Sequence, residues 1–172
     1  MENYDSGNNI SIRVNDFFYF IMVLSGYHLF VVDDTVPIVS VNKKVTNSEL
    51  GKLSKVALKK CRVIDPHVDS FFFNRDRLAE CEKKWLSENL SSLGFKNKKI
   101  FYQSMMLCNI REKNGFLTLR PTLHKKLETW TGDGFTEDDY IVLPDSVSDE
   151  ELGEAIKEVL SRCRSVIWIL YY

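Results

Sequence analysis

Two stretches of this chain follow one pattern. Val45-Thr-Asn-Ser-Glu-Leu-Gly-Lys-Leu-Ser-Lys-Val-Ala-Leu-Lys-Lys-Cys-Arg62 and Val147-Ser-Asp-Glu-Glu-Leu-Gly-Glu-Ala-Ile-Lys-Glu-Val-Leu-Ser-Arg-Cys-Arg164 coincide at a spacing of 102 positions (147 against 45). They share the valine, Glu-Leu-Gly, a lysine, a leucine and the closing Cys-Arg. Both open with the same helix-start grammar. Thr46 and Ser148 are N-caps, and Glu49 and Glu151 stand three residues on, where a capping box satisfies orphan amide donors. Val45 and Val147 precede the caps and can staple onto Leu50 and Leu152. Apolar residues then recur at helical spacing, Leu50, Leu53, Ala57 and Cys61 in one unit and Leu152, Ile156, Val159 and Cys163 in the other. The pattern predicts two amphipathic helices.

The segments before these helices also correspond. Strand-like runs at residues 10–14, 17–24, 27–32 and 36–41 are separated by Asn15-Asp16, Ser25-Gly26 and Asp33-Asp34, residue types suited to tight turns. Four more runs, about residues 100–110, 116–120, 123–130 and 140–143, precede the second helix. Asn114-Gly115 between the first two signals a type I′ hairpin, which needs positive φ at both central positions. A further helix, 75–93, sits between the halves with Asn74 as N-cap and Gly94 as left-handed stop. Its apolar face is Leu78, Cys81, Trp85 and Leu93. The expected fold class is α+β. It consists of two pseudo-symmetric strand-strand-strand-strand-helix units with antiparallel sheets plus one inserted helix, a single domain over residues 1–172 with an internal repeat of about 10–63 and 98–164. How the two sheets are arranged is left open by the pattern.

Composition removes several function classes. Lys and Arg total 23 against 24 Asp and Glu, a net charge of −1, without the basic excess of a protein that wraps nucleic acid. The four cysteines form no C-x-x-C pair, and His28, His67 and His124 are far apart, so no local metal motif is formed. The cysteines fall on apolar positions and read as reduced core thiols. The start of the chain is acidic and polar, unlike a signal peptide, and the longest apolar runs, 17–24 and 166–172, are too short to span a membrane. Gly132-Asp-Gly134 lacks the third glycine and the strand-to-helix turn of a phosphate loop, and no hydrolase serine elbow or H-E-x-x-H is present. His124, flanked by two lysines, reads as a lone surface histidine. No catalytic constellation, metal or cofactor is expected, and the protein is expected to be a cytoplasmic monomer or weak dimer when free.

Two surface features stand above background. Residues 130–140 form an acidic loop with aromatics at Trp130, Phe135 and Tyr140. Asp133, Glu137, Asp138 and Asp139 lie within seven positions, and Asp145 and Asp149 follow. Buried aromatics anchor interfaces and carboxylates steer a basic partner, so Trp130, Asp133, Phe135, Glu137, Asp138, Asp139, Asp145 and Asp149 are the candidate binding residues. The second feature is the basic tract Lys96, Lys98, Lys99, Arg111 and Lys113 beside Phe95, Phe101 and Tyr102. It carries the alternative reading, a single-stranded nucleic-acid-binding surface.

The stretch Leu127-Glu-Thr-Trp-Thr-Gly-Asp-Gly134, then Asp139-Tyr-Ile-Val-Leu-Pro144, then Ser148-Asp-Glu-Glu-Leu-Gly-Glu-Ala-Ile and Leu160-Ser-Arg-Cys163 resembles the C-terminal half of a family of CdiI immunity proteins of contact-dependent growth inhibition. The pattern is a W-x-G-x-G loop, a strand ending in Pro and an E-L-G…L-S-R-C helix. The resemblance covers about residues 95–164 and, more weakly, 36–63. It implies a noncatalytic protein that binds and occludes a cognate CdiA C-terminal toxin domain, usually a nuclease. A nuclease holds phosphate and tends to be basic, and an acidic-aromatic loop suits such a partner.

Overall fold

The computed structural model describes residues 7–167, so most of the apolar run at 166–172 and the first six residues lie outside the described part. In chain order the elements are β1 (Asn8–Val14), β2 (Phe18–Gly26), β3 (Phe30–Val32), β4 (Val39–Asn42), α1 (Asn47–Leu58), α2 (Arg75–Leu93), α3 (Lys98–Tyr102), β5 (Met106–Lys113), β6 (Phe116–Pro121), β7 (Leu123–Lys126), β8 (Thr129–Thr131), β9 (Ile141–Pro144), α4 (Asp149–Ser161) and β10 (Arg164–Ser165). The class is α+β, as the patterning implies.

The two units do not keep separate sheets. β1 pairs antiparallel with β5, placing Ile10 opposite Ile110 and Ile12 opposite Cys108, and this seam fuses both halves into one seven-stranded sheet. Outward from the seam, β2 and β6 pair with β1 and β5, then β4 and β9 pair with β2 and β6. β3 also pairs with β2, giving the order β3-β2-β1-β5-β6-β9 with β4 beside β2. The relation between halves is therefore a pseudo-twofold axis through the middle of the sheet. The β5–β6 turn has φ of 52° at Asn114 and 81° at Gly115, the left-handed pair that a type I′ hairpin requires.

Helices α1 and α4 lie together across one face, over Ile10, Ile12, Ile21, Ile110, Leu117 and Leu119. Leu50, Leu58, Leu152, Ile156 and Val159 meet that face and are essentially withdrawn from water. The repeated residues make reciprocal contacts. Lys55 Nζ donates to the Val147 carbonyl, and Lys157 Nζ donates to the Val45 carbonyl at 3.2 Å. Gly51 lies against Asp149 of the other helix, and Gly153 against Asn47. Cys61 and Cys163 thiols donate to the Leu24 and Leu107 carbonyls at 2.8 and 3.2 Å. The repeat encodes a helix pair packed about the pseudo-axis.

The caps differ in one detail. Ser148 and Glu151 form the full reciprocal box, whereas Thr46 accepts from the Glu49 amide at 3.2 Å without a return bond from the Glu49 side chain. Thr46→Ala and Ser148→Ala should each lower unfolding free energy by about 1 kcal/mol in urea titrations, through one orphaned amide. Substitutions that leave stability unchanged would show that water already serves those amides.

The opposite face of the first half is covered by α2, which runs from the Asn74 cap to Gly94 at φ 75°. Trp85 packs edge-on against Phe20 at 5.2 Å and Phe101 at 5.3 Å, with Met22, Tyr102 and Met105 completing a second apolar cluster. Two expected strands are corrected here. Residues 98–102 form the short helix α3, capped by Asn97, and the strand starts only at Met106. The apolar run Ile100-Phe-Tyr satisfies either period, and the cap decides for helix. Residues 123–130 fold back as the hairpin β7–β8, which joins β10 in a separate three-stranded sheet; β10 runs parallel to β7.

Candidate partner-binding surface

The acidic loop is held from both of its ends. Gly134 takes φ 82°, and Thr136 caps a 3-10 turn at Glu137–Asp139. The Asp139 carboxylate accepts from the Thr136 amide at 2.9 Å, so this acid closes a capping box. Arg162 Nη1 donates to the Asp139 carbonyl, and Arg164 Nη1 to that of Gly134, both at 3.1 Å. The Arg164 guanidinium also lies 4.5 Å over the Phe135 ring. In the first unit the counterpart Arg62 grips Asp33 through two bonds of 2.8 and 2.9 Å. Burial opposes the charge on Asp33, but donation from Arg62, Thr35 and Ser25 outweighs it and holds the carboxyl far below the usual range. The repeated Cys-Arg thus ends each helix on a thiol–carbonyl bond and an arginine that fixes a neighbouring loop.

Several candidate residues are engaged within the fold. Trp130 Nε1 donates to the Met105 carbonyl at 3.0 Å, and its ring stacks on His124 at 4.7 Å and 16°. His124, expected on the surface, is fully buried instead, with Nε2 2.9 Å from the Leu127 carbonyl; burial lowers its basicity. Asp133 pairs with Lys125 at 2.7 Å, which holds its carboxyl below the ordinary range. Asp149 pairs with Lys55 at 3.0 Å across the helix crossing. The carboxylates of Glu137, Asp138 and Asp145 have no hydrogen-bond or ion-pair partner among the described residues and are exposed.

On β9, which runs between the acidic turn and Asp145, and on its partner strand β6 are two exposed apolar side chains that the sequence pattern does not single out. Phe116 is 53% exposed and Val142 58%. Phe116 pairs with Pro144 and Thr118 with Val142, so both apolar side chains are on one face of the β6–β9 ladder. The Asp145 amide bonds to the Gly115 carbonyl at 2.9 Å, which fixes that acid next to the start of β6. The signal was in the repeat. Phe18, Phe20 and Met22 occupy, 98 positions earlier, the places of Phe116, Thr118 and Arg120 (18 against 116), yet Phe20 and Met22 are buried under α2 and α3 while Phe116 is open. The inserted helix covers one half of the sheet face only.

A second polar network lies on the α2 side of the sheet. Arg13 forms an ion pair with Glu82 at 2.6 Å between the rings of Trp85 and Trp130, and the Tyr102 hydroxyl donates to the same carboxylate at 2.7 Å. Burial and the adjacent Glu82 charge push the Tyr102 phenol far above its ordinary range. Among the described residues, no group of three or more His, Cys, Asp or Glu is placed to hold a metal ion, and no helix is long and apolar enough to cross a membrane.

The family model for CdiI, described as CDI immunity protein, matches residues 8–163. This chain belongs to the CdiI family of immunity proteins. The match spans both halves and the inserted helix of this CdiI protein. It is 27% identical over 166 residues to the immunity protein CdiI-YPIII of Yersinia pseudotuberculosis serotype O:3 (strain YPIII), covering 90% of this chain and 94% of that one. A protein of unknown function from Neisseria meningitidis has a TM-score of 0.85 at 27% identity, over 95% of this chain and 99% of its own. A chain of the CdiA-CT/CdiI toxin and immunity complex from Yersinia pseudotuberculosis shares the fold, with a TM-score of 0.83 at 24% identity over 92% and 98%. In this CdiI protein two motif residues that signalled the family, Trp130 and Gly153, make internal contacts of the fold.

Proposed function

We propose that this CdiI protein binds one cognate CdiA C-terminal toxin domain in the cytoplasm and neutralises it by occlusion, without catalysis, and that this toxin is a nuclease. The partner is suggested by the related Yersinia pseudotuberculosis structure, which is a toxin and immunity complex. One observation supports the surface: among the described residues the carboxylates of Glu137, Asp138 and Asp145 lack partners, and β9, which runs between the acidic turn and Asp145, exposes Val142 and pairs with exposed Phe116. Like charges collected on one loop repel each other, and folding has used only the neighbouring Asp133, Asp139 and Asp149. A basic partner relieves that repulsion, and the two apolar side chains on the neighbouring β6–β9 face supply desolvated contact. Phe135 and the three paired acids form the margin of the surface, and Trp130 supports it from beneath.

The test uses the cognate CdiA C-terminal toxin domain. Co-expression should protect cells, and Glu137→Lys with Asp138→Lys should slow association about tenfold or more at low salt, because such charges act over about 8–10 Å at physiological ionic strength. The effect should shrink at high salt while urea unfolding is unchanged. An unchanged association rate would rule out this surface. Absence of toxin binding by the unaltered protein, with tight salt-dependent oligonucleotide binding in its place, would rule out the function.

A further inference from the structure

A second concave surface lies where the β1–β2 turn and the end of β4 meet the end of α2 and the start of α3. Its floor is apolar: Phe17, Phe18, Leu93, Phe95 and Ile100 line a groove of roughly 900 Å³. Phe17 is 56% exposed and Ile100 38%. The Asn15 side chain accepts from the Phe17 and Phe18 amides, both at 2.9 Å, and the Lys43 amide donates to the Phe17 carbonyl at 2.8 Å, so the exposed ring sits on a fixed turn. The opposite wall is the left-handed end of α2 at Gly94, where a Cβ would meet nothing within 4 Å. The basic-aromatic tract read from the sequence is only partly at the surface. Phe101 and Tyr102 are fully buried, and Phe95 is half-buried against Phe17 at 5.9 Å.

The rim of the groove is cationic. Lys43 and Lys44 follow β4, and Lys96 follows α2, so residues distant in sequence converge here. None of the three has an ion-pair partner among the described residues, whereas nearby Lys98 is paired with Glu128 at 2.7 Å. Asp16 is the single carboxylate of the lining. Three free ammonium groups around exposed aromatic and aliphatic side chains fit a ligand that is itself apolar in the middle and anionic at its flanks.

We propose that this groove docks a protein segment in which one or two large apolar side chains are flanked by Asp or Glu. Nucleic acid fits less well. One ring, Phe17, is open, and the others pack edge-on against each other, so successive bases find no stacking platform. The rim presents lysines without the planar guanidinium fork that grips phosphate. This inference is independent of the toxin partner, because its charge preference is opposite to that of the acidic loop.

The experiment is selection of random 12-residue peptides, displayed on phage, against the intact protein, followed by fluorescence anisotropy with the enriched peptides. Enrichment of net-negative sequences carrying Phe, Leu or Trp is expected. Binding should weaken at least about tenfold with Lys43→Glu/Lys44→Glu/Lys96→Glu and with Phe17→Ser. It should be unchanged with Glu137→Lys/Asp138→Lys. Peptide-induced amide shifts in the unaltered protein, recorded by NMR, should centre on residues 16–18, 42–44 and 93–100, which locates the site without relying on any variant. No enrichment, enrichment of neutral or basic peptides, shifts centred elsewhere, or tighter binding of a 12-nucleotide uridine oligomer at the groove would each overturn the proposal.

Discussion

Gly153→Ala is expected to lower the stability of this protein by about 3 kcal/mol or more, at the upper end of what overpacking costs. A Cβ on Gly153 would lie 1.8 Å from the Asn47 carbonyl oxygen and 2.4 Å from its carbon, and one on Gly51 1.9 Å from the Asp149 oxygen. These obstacles are backbone atoms of the facing helix, so no side chain can swing aside. The helices must separate by more than an ångström. That movement strains the Lys55–Val147 and Lys157–Val45 bonds and the Lys55–Asp149 pair, and it loosens Leu50 and Leu152. Against this, alanine gains about 1 kcal/mol of helix propensity over glycine, which is too little to offset the loss. Domains of this size have about 5–15 kcal/mol in total, so either alanine should visibly shift a urea midpoint. The double variant should lose less than the sum, because the first substitution has already opened the crossing. A variant as stable as the natural protein, or more stable, would mean the helices slide apart at little cost and the glycines are not the reason for the close approach.

Those glycines illustrate how far the sequence could be read. The caps at Thr46, Asn74 and Ser148, the Gly94 stop and the Asn114-Gly115 hairpin obey rules that act within four residues, and the structure bears them out. The E-L-G repeat announced two like helices. That each glycine faces the other helix was not legible, because the contact joins residues about a hundred positions apart. The same separation hid the β1–β5 seam. The strand expected at about 100–110 begins instead at Met106, because the three consecutive apolar residues 100–102 carry no period and the Asn97 cap turns them into helix. At the candidate surface, a run of carboxylates looked uniform in sequence. Thr136-Glu-Asp-Asp139 contains a local capping signature that could have set Asp139 apart. The partners of Asp133 and Asp149 required the β7–β8 hairpin and the helix crossing. Trp130 is open to two uses, since an aromatic beside acids can anchor a partner or end a core, and its bond to Met105 shows that it at least serves the fold.

Arg13→Ala should produce the second large loss. Its side chain is 10% exposed, bound to Glu82 through Nη1 at 2.6 Å and Nη2 at 3.3 Å, with ring centroids of Trp85 and Trp130 at 5.2 and 5.1 Å. Removing one partner of a buried pair commonly costs 3–5 kcal/mol. Glu82 is 33% exposed and keeps the Tyr102 hydroxyl, so water and that bond soften the effect, and about 3 kcal/mol is expected here. Two contributions can be separated by a cycle. In a Glu82→Gln background Arg13→Ala should cost less by at least about 1 kcal/mol if the charge pair dominates, and the same amount if guanidinium–ring packing dominates. Arg13→Lys keeps the charge but loses the planar fork, and should recover only part of the stability. Tryptophan emission should shift to the red in Arg13→Ala under native conditions, because Trp85 and Trp130 lose the group between them. The consequence reaches the proposed interface, since Trp130 leads directly into residues 131–140. If the loop depends on that support, toxin association should slow in Arg13→Ala at temperatures where the protein is still folded, and a loss below about 1 kcal/mol with unchanged emission would remove Arg13 from this role.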